Sequence, residues 1–350
     1  MIQEDPLPTT AEDILNMADK YRNLDTGERF LVSAEQLTND GGVALVYMSD
    51  FGRRILSKST DWFMDGTFKT VPEQFSQLYM VFGSGGESSR IYPSAYMLLP
   101  NKRSVTYTHV LEILMRETNS APISIAIDFE QAVIRASRNV FPNVAIQGCV
   151  FHWKKNLFSH VGKTGCLRLF YEEENFQIGL DLIYTLCFVP PGDVLFAWET
   201  VVEIHFDKHF KDDENVEDFL SYFVGTYIGE KNNRTGNRKD PMFPVSMWNI
   251  HSRIVQGQPA TNNAVESWNA RWNQSMGTNH NIWRVITGFK VEDSLARTKF
   301  MEQVTQRNID PNPGRSSRRS GRMDELKLSL EHYDRNNIKE FLYGLRGDVI

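Results

Sequence analysis

The chain has 350 residues, 41% of them hydrophobic and 12% aromatic, a composition typical of a globular protein with a sizeable core. Its formal net charge of −6 argues against a chain that coats nucleic acid without a defined site, although a local basic patch can still bind it. No apolar run reaches about 18 residues, which excludes a membrane-spanning helix. Three scattered cysteines are too few for a disulfide framework and indicate a reducing compartment.

The first 60 residues form an N-terminal lead region, with a short predicted helix at 10–22 and one predicted strand at 43–48. From residue 61 the pattern becomes regular, because apolar runs of strand length follow one another with short polar breaks. These runs predict three consecutive strands, at 62–69, 75–83 and 91–99.

Helices and strands then alternate. An amphipathic helix at 104–117 precedes a fourth strand at 121–127, and a helix at 130–140 precedes a fifth strand at 144–151. Three joined strands followed by strand–helix units predict a mixed, five-stranded α/β sheet with flanking helices. This order is similar to that of the ribonuclease H-like fold, in which the fourth strand lies parallel to the first.

The predicted core is interrupted once. Its first part covers 61–158, and an all-helical insertion covers 159–258. Residues 259–306 return to the core as two helices, the first of them at 261–274. Residues 307–350 form a linker rich in Arg, Gly, Ser and Pro, followed by a helical tail.

Two acidic residues close apolar strands, and each has a structural alternative. Asp65 ends the run Trp62-Phe63-Met64 and is followed by glycine, so a hairpin turn is the alternative. Asp128 ends the fourth strand and could instead cap the next helix. If the first and fourth strands are parallel neighbours, both acids lie side by side. Glu266, in the helix at 261–274, is the candidate third acid, and its alternative is a solvated glutamate.

Carboxylates brought together at strand ends repel one another unless a cation holds them. Hard divalent ions such as Mg²⁺ prefer oxygen ligands. Two such ions about 4 Å apart can activate an attacking oxygen and stabilise a leaving one in phosphoryl transfer. Asp61 and Glu130 are nearby acids to which the sequence assigns supporting or structural roles.

Over roughly residues 40–300, the chain resembles the transposase domain of Mutator-like elements. Shorter matching stretches lie at 75–79, 107–114, 141–142 and 248–249. The longer ones are Asp65-Gly66-Thr67-Phe68-Lys69, Asp128-Phe129-Glu130, Gly148-Cys149-Val150-Phe151-His152-Trp153 and Thr261-Asn262-Asn263-Ala264-Val265-Glu266-Ser267-Trp268-Asn269.

The resemblance implies a ribonuclease H-like core whose acids Asp65, Asp128 and Glu266 hold two Mg²⁺ or Mn²⁺ ions. It implies cleavage of duplex DNA at element ends and joining of the 3′ end to target DNA, in the nucleus, by a homodimer or larger assembly. Two alternatives stay open. One is a host-adopted, non-catalytic DNA-binding or transcriptional regulator, and the other is a plain ribonuclease H-like nuclease.

The family pattern also includes the pair Cys149 and His152, which could bind zinc with His205 and His209. Two ligands are too few to indicate a zinc site, so a buried thiol and a hydrogen-bonded histidine are the favoured interpretation. Basic residues expected to contact DNA lie near the acids, after the fifth strand and in the linker. They are Lys69, Lys154, Lys155, Arg271, Arg315, Arg318 and Arg319.

Overall fold

The computed structural model describes residues 5–37, 41–67, 69–84, 90–232, 234–257, 263–277, 281–309 and 317–347. The chain divides into two compact units. Unit 1 consists of Met1–Ile146 and Asn262–Pro313, and unit 2 consists of Gln147–Thr261 and Gly314–Ile350.

One mixed β-sheet organises unit 1. Its strands are β1 (Leu31–Gln36), β2 (Val43–Tyr47), β3 (Asp61–Thr67), β4 (Gln77–Ser84), β5 (Ile91–Leu99), β6 (Ser124–Ile127) and β7 (Ala145–Gly148). They lie in the order β1-β2-β5-β4-β3-β6-β7. β3 pairs antiparallel with β4 and parallel with β6, so the predicted mixed sheet and the predicted parallel neighbours are confirmed.

The predicted number of five strands is wrong, because the sheet has seven. β2 pairs antiparallel with β5, and β1 pairs antiparallel with β2, so both extend the sheet beyond β5. All five residues of β2 are buried. A strand buried on both faces belongs inside a sheet, and here β1 and β5 flank it.

The fifth predicted strand, at 144–151, is also too long. β7 ends at Gly148, and a helix begins at Val150, with Cys149 as its N-cap residue. The buried residues of that helix are Val150, Trp153, Leu157 and Val161, which follow helical rather than strand spacing.

The α-helices lie before, between and after the strands. They are α1 (Ala11–Leu15), α2 (Asp19–Arg22), α3 (Asp50–Lys58), α4 (Ser104–Thr118), α5 (Gln131–Val140), α6 (Val150–Lys163), α7 (Leu167–Glu172), α8 (Glu174–Thr185), α9 (Val194–Ala197), α10 (Glu203–Phe210), α11 (Glu214–Phe223), α12 (Val245–Trp248), α13 (His251–Val255), α14 (Asn263–Met276), α15 (Ile282–Ile309), α16 (Ser317–Glu331) and α17 (Ile338–Gly344).

Helices cover both faces of the sheet in unit 1. On one face, α14 and α15 pack against side chains of β3, β4 and β6, including Phe63, Phe82 and Ala126. On the other face, Tyr107 of α4 lies against Tyr79, with ring centroids 5.1 Å apart. Side chains alternate along a strand, so Asp65 lies on the same face of β3 as Phe63, which is the face that α14 covers.

The described residues of unit 2 are mainly helical. Its core includes the stacked indoles of Trp153 and Trp248, whose centroids are 5.0 Å apart. α15 continues to Ile309, three residues beyond the predicted end of the core helices at 306, and α16 begins at Ser317. In the part of the chain that the structure describes, no helix is long and apolar enough to cross a bilayer.

Candidate functional site

The register of β3 and β6 sets the position of the two aspartates. Asp61 pairs with Ser124, Trp62 with Ile125 and Phe63 with Ala126, an offset of 63 positions (124 − 61). Asp65 and Asp128 have the same offset, because 128 − 65 is also 63. The pairing itself ends at Phe63 and Ala126. Continued by two residues, the same register would bring Asp65 beside Asp128, on the face of the sheet that α14 covers.

Hydrogen bonds hold each aspartate in place. The backbone N–H of Gly66 donates to Asp65 Oδ1 at 2.8 Å, and the side-chain amide of Asn269, on α14, donates to Asp65 Oδ2 at 2.6 Å. Asp128 Oδ1 accepts from the backbone N–H of Phe129 at 2.6 Å. Asp65 is thus oriented from both the strand and the helix above it.

The structural alternatives for these two aspartates are wrong. Asp65 is not in a hairpin turn, because β3 runs on to Thr67 and Asp65 itself pairs with Met80. Asp128 is not the N-cap residue of α5, a position that Glu130 occupies without a side-chain capping bond. Neither acid therefore serves the local role that its sequence neighbours suggested.

The pKa of a buried tyrosine, Tyr79, is affected by the negative charge at this end of the sheet. Burial is the main cause that raises the pKa of the Tyr79 hydroxyl well above its ordinary value. The charges of Asp65, Asp128 and Glu130 add to this rise in pKa. The charges of these three acids therefore all act on one buried side chain.

The hydrogen bonds that anchor Glu130 were not predicted from the sequence. The side-chain amide of Gln77 donates to the Tyr107 hydroxyl at 2.7 Å, and that hydroxyl donates to Glu130 Oε1 at 3.0 Å. Burial raises the pKa of Glu130, Asp128 raises it further, and the bond from Tyr107 opposes the rise. The sequence signal that could have pointed to these hydrogen bonds is Gln77, a polar residue at the start of the apolar strand β4. The structure buries it completely.

Glu266, the candidate third acid, lies on α14, the helix that also carries Asn269. It is partly buried on α14, three residues before Asn269 and so about one turn away on the same flank of the helix. Among the described residues, no three His, Cys, Asp or Glu side chains converge to hold a metal ion. Asp65, Asp128 and Glu266 are therefore not gathered into one metal-binding group.

Asp65 and Asp128 still fit a hard divalent cation. Mg²⁺ is commonly held by one or two carboxylates, with water and substrate phosphate oxygens as its other ligands. A carboxylate oxygen that accepts one hydrogen bond keeps a second lone pair with which it can bind a cation. Two carboxylates at the ends of neighbouring parallel strands are a donor set of this kind, without a third protein ligand.

The proposed zinc ligands do not come together. Cys149 is buried and begins α6. His205 lies 2.7 Å from the backbone carbonyl of Asn175 through Nε2, and its ring is 4.9 Å from that of His209. No group of three possible ligands includes these residues in the described ranges. This arrangement agrees with the favoured interpretation of a buried thiol.

The candidate DNA-contacting residues differ in exposure. Lys69, Lys155 and Arg271 are exposed, and the side chain of Arg271 lies 3.9 Å from Glu292. Lys154 is partly buried against the Tyr184 ring, and this burial lowers its pKa. Arg315 lies outside the described residues, as do the side chains of Arg318 and Arg319, although the backbone of these two belongs to α16.

A comparison with protein families agrees with the resemblance seen in the sequence. Residues 62–156 match the family model of the MULE transposase domain. The match begins at β3 and ends within α6, so it includes Asp65, Asp128, Cys149 and His152 but stops well before Glu266. No curated protein matches the chain.

Proposed function

We propose, from the match of residues 62–156 to the MULE transposase domain, that the chain is the catalytic core of a metal-dependent DNA transposase. The observation that carries this proposal is the parallel register of β3 and β6, which would bring Asp65 beside Asp128 when it is continued by two residues. The order of strands, with β3 antiparallel to β4 and parallel to β6, supports a ribonuclease H-like core.

The proposed reaction has two phosphoryl transfers. Water attacks a phosphodiester at an element end, and a P–O bond breaks to release a 3′ hydroxyl. That hydroxyl then attacks a phosphodiester of target DNA, forming one P–O bond as another breaks. Two Mg²⁺ or Mn²⁺ ions would activate the attacking oxygen and stabilise the leaving one.

The chain's own residues have distinct roles in this proposal. Asp65 and Asp128 would bind the ions, and the amide of Asn269 keeps the Asp65 carboxylate oriented. Glu266 would supply the third carboxylate. Tyr107 positions Glu130 at the edge of the site through the bond to Oε1.

The partners follow from the family match. We propose duplex DNA as the substrate, a homodimer or larger assembly as the working form and the nucleus as the location. The DNA contacts are assigned to Lys69, Lys155 and Arg271, which are exposed, and to Lys154. Arg315, Arg318 and Arg319 extend this basic surface in the sequence.

Calorimetric titration of Mn²⁺ into the protein tests the site without knowledge of the DNA ends. Asp65→Asn and Asp128→Asn keep the size of the side chain and remove its charge, and each is expected to abolish binding. Asp61→Asn is the matched control, because Asp61 lies on the same strand and bonds to Ser124 instead. Nicking of a supercoiled plasmid in Mn²⁺ should be lost in Asp65→Asn and Asp128→Asn and kept in Asp61→Asn. Full binding and nicking by Asp128→Asn would sink the proposal.

A non-catalytic DNA-binding regulator is the second candidate function. The observation that favours it is the absence, among the described residues, of a three-ligand metal group that includes Glu266. A regulator of this kind binds DNA equally well in EDTA and in Mn²⁺, and it does not nick the plasmid. The same titration and nicking assay therefore separate the two candidates.

A further inference from the structure

A groove of about 390 Å³ lies between α14 and α15, above β4 and β5. Its lining includes three basic residues, Arg90, Arg271 and Lys299, and apolar residues such as Ile91, Pro93 and Leu295. Arg271, Lys299 and Leu295 are exposed, so the groove opens to solvent. All of these residues belong to unit 1.

The charge of the groove is opposite to that of the chain. Its only acidic lining residue is Glu292, among the residues that the structure describes there. Three positive charges and one negative charge leave +2, whereas the chain as a whole carries −6. Glu292 also accepts a hydrogen bond from the Trp268 indole at 2.6 Å, which fixes it against the groove wall. The groove is therefore complementary to an anion.

The groove and the two aspartates flank the same helix. At about 100° per residue, Ala264, Ser267 and Arg271 lie on the opposite flank of α14 from Glu266 and Asn269. A helix with its side chains is about 10–12 Å wide. A single DNA strand with about 3.4 Å or more between successive phosphates crosses that width in two to four nucleotides.

We propose that this groove holds one nucleotide of an unpaired DNA strand, with phosphates on Arg271 and Lys299 and the sugar and base against Ile91 and Leu295. Its volume lies within the range of about 300–1,000 Å³ that is usual for small-ligand sites, and it is too small for a duplex. The identification of the strand as DNA rests on the proposed function. The charge and the apolar wall come from the groove itself.

Fluorescence anisotropy with a labelled oligothymidylate of about 12 nucleotides, in EDTA, tests this site. Arg271→Ala combined with Lys299→Ala should weaken binding about tenfold and reduce the salt slope by about 1.4, or about 0.7 for each lost phosphate contact. Ser267→Phe fills the groove without changing its charge, and we expect a similar loss of affinity. Arg116→Ala combined with Arg138→Ala removes two exposed charges on α4 and α5 and should change little.

Three results would overturn the proposal. They are normal binding by Ser267→Phe, an equal loss for a duplex of the same length, and displacement of the oligonucleotide by poly-glutamate at equal charge concentration. The last result would identify an acidic peptide as the ligand. Thermal melting of each variant shows whether it is folded, and Arg271 and Lys299 are exposed enough to be replaced without a cavity.

The groove and the metal site can fail separately. If Mn²⁺ does not bind at Asp65 and Asp128 but the groove variants lose the oligonucleotide, the proposed function fails and the groove remains a single-strand site. If Mn²⁺ binds and the groove variants keep full affinity for the oligonucleotide, the groove proposal alone fails.

Discussion

The parallel strands β3 and β6 have an acidic residue on the same face near each end. The two acids have different neighbours on the opposite strand. At the start, Asp61 pairs with Ser124, whose hydroxyl donates to Asp61 Oδ1, and Thr60 donates to Oδ2 at 2.8 Å. At the other end, the same register continued by two residues would bring Asp65 beside Asp128, and the Asn269 amide donates to Asp65. Across the two strands, an acid therefore faces a hydroxyl at one end and would face a second acid at the other.

An acid beside a hydroxyl stabilises the pairing of the strands, because the hydroxyl donates a hydrogen bond to the charge. Two adjacent carboxylates do the opposite in the absence of a cation or a shared proton. The same register thus supports a hydrogen-bonded contact at its start, whereas two carboxylates four residues further along would cost stability. The costly end is where a function is expected, since strain is retained where it serves binding or chemistry.

Ser124→Asp converts the first end into a copy of the second, and we expect the largest effect from it. Ser124 is buried, so a second carboxylate beside Asp61 should lower the free energy of unfolding by about 3 kcal/mol at neutral pH. Urea unfolding measures the loss. Ser57→Asp, on the exposed surface of α3, is the control. If Ser124→Asp were as stable as the wild type, two carboxylates placed side by side in this register would not destabilise the fold.

Asn269→Ala removes the amide that orients Asp65, and it should weaken Mn²⁺ binding about tenfold, as losses around metal ligands commonly do. Calorimetry measures the change. Asn273→Ala is a close control, because Asn273 lies one turn further along α14 and accepts from Thr70 at 3.1 Å. Equal losses of Mn²⁺ affinity in the two variants would mean that packing of α14, and not the bond to Asp65, is responsible.

Asp128→Ser converts the second end into a copy of the first. In metal-free buffer we expect a gain of about 1 kcal/mol in the free energy of unfolding, because the repulsion from Asp65 disappears. Saturating Mn²⁺ should reverse the order, since it stabilises only the wild type. Asp61→Ser is the control and should lose stability, because Asp61 accepts from Ser124 and Thr60. If the free energy of unfolding changed in the same direction in Asp128→Ser and Asp61→Ser, the proposed difference between the two ends would be wrong.

Glu130→Gln should have the smallest effect, and it should depend on pH. Burial raises the pKa of Glu130 in the folded protein above its ordinary value of 4.5. The protonated carboxyl therefore contributes its full share to the stability of the folded state below pH 4.5. The contribution is lost as the pH rises through the folded pKa. Relative to wild type, Glu130→Gln should therefore gain stability as the pH rises from 4.5, the ordinary value, through the higher folded pKa. Thermal melting across this range in EDTA measures the gain, and Glu112→Gln, on the exposed side of α4, should show none.

Much of the site was predictable from local patterns. Apolar runs predicted β3, β4, β5 and β6, and the acids Asp65 and Asp128 were found because aspartate is uncommon at the end of such runs. The run at 144–151 misled, because Val150 and Trp153 belong to a helix whose buried face is equally apolar. β1 was missed, since it is buried only in its first half and carries polar residues at its end.

The sequence by itself determined which segments are apolar enough to be strands, where acids interrupt them and which family residues 62–156 match. Only the tertiary structure decided that β3 lies parallel to β6 in the register that leads to Asp65 and Asp128, that Asn269 donates to Asp65, and that Gln77 and Tyr107 anchor Glu130. The physical reason is distance along the chain. Local patterns depend on neighbouring residues, whereas a strand register and a bond between residues 65 and 269 depend on how remote segments pack into one core.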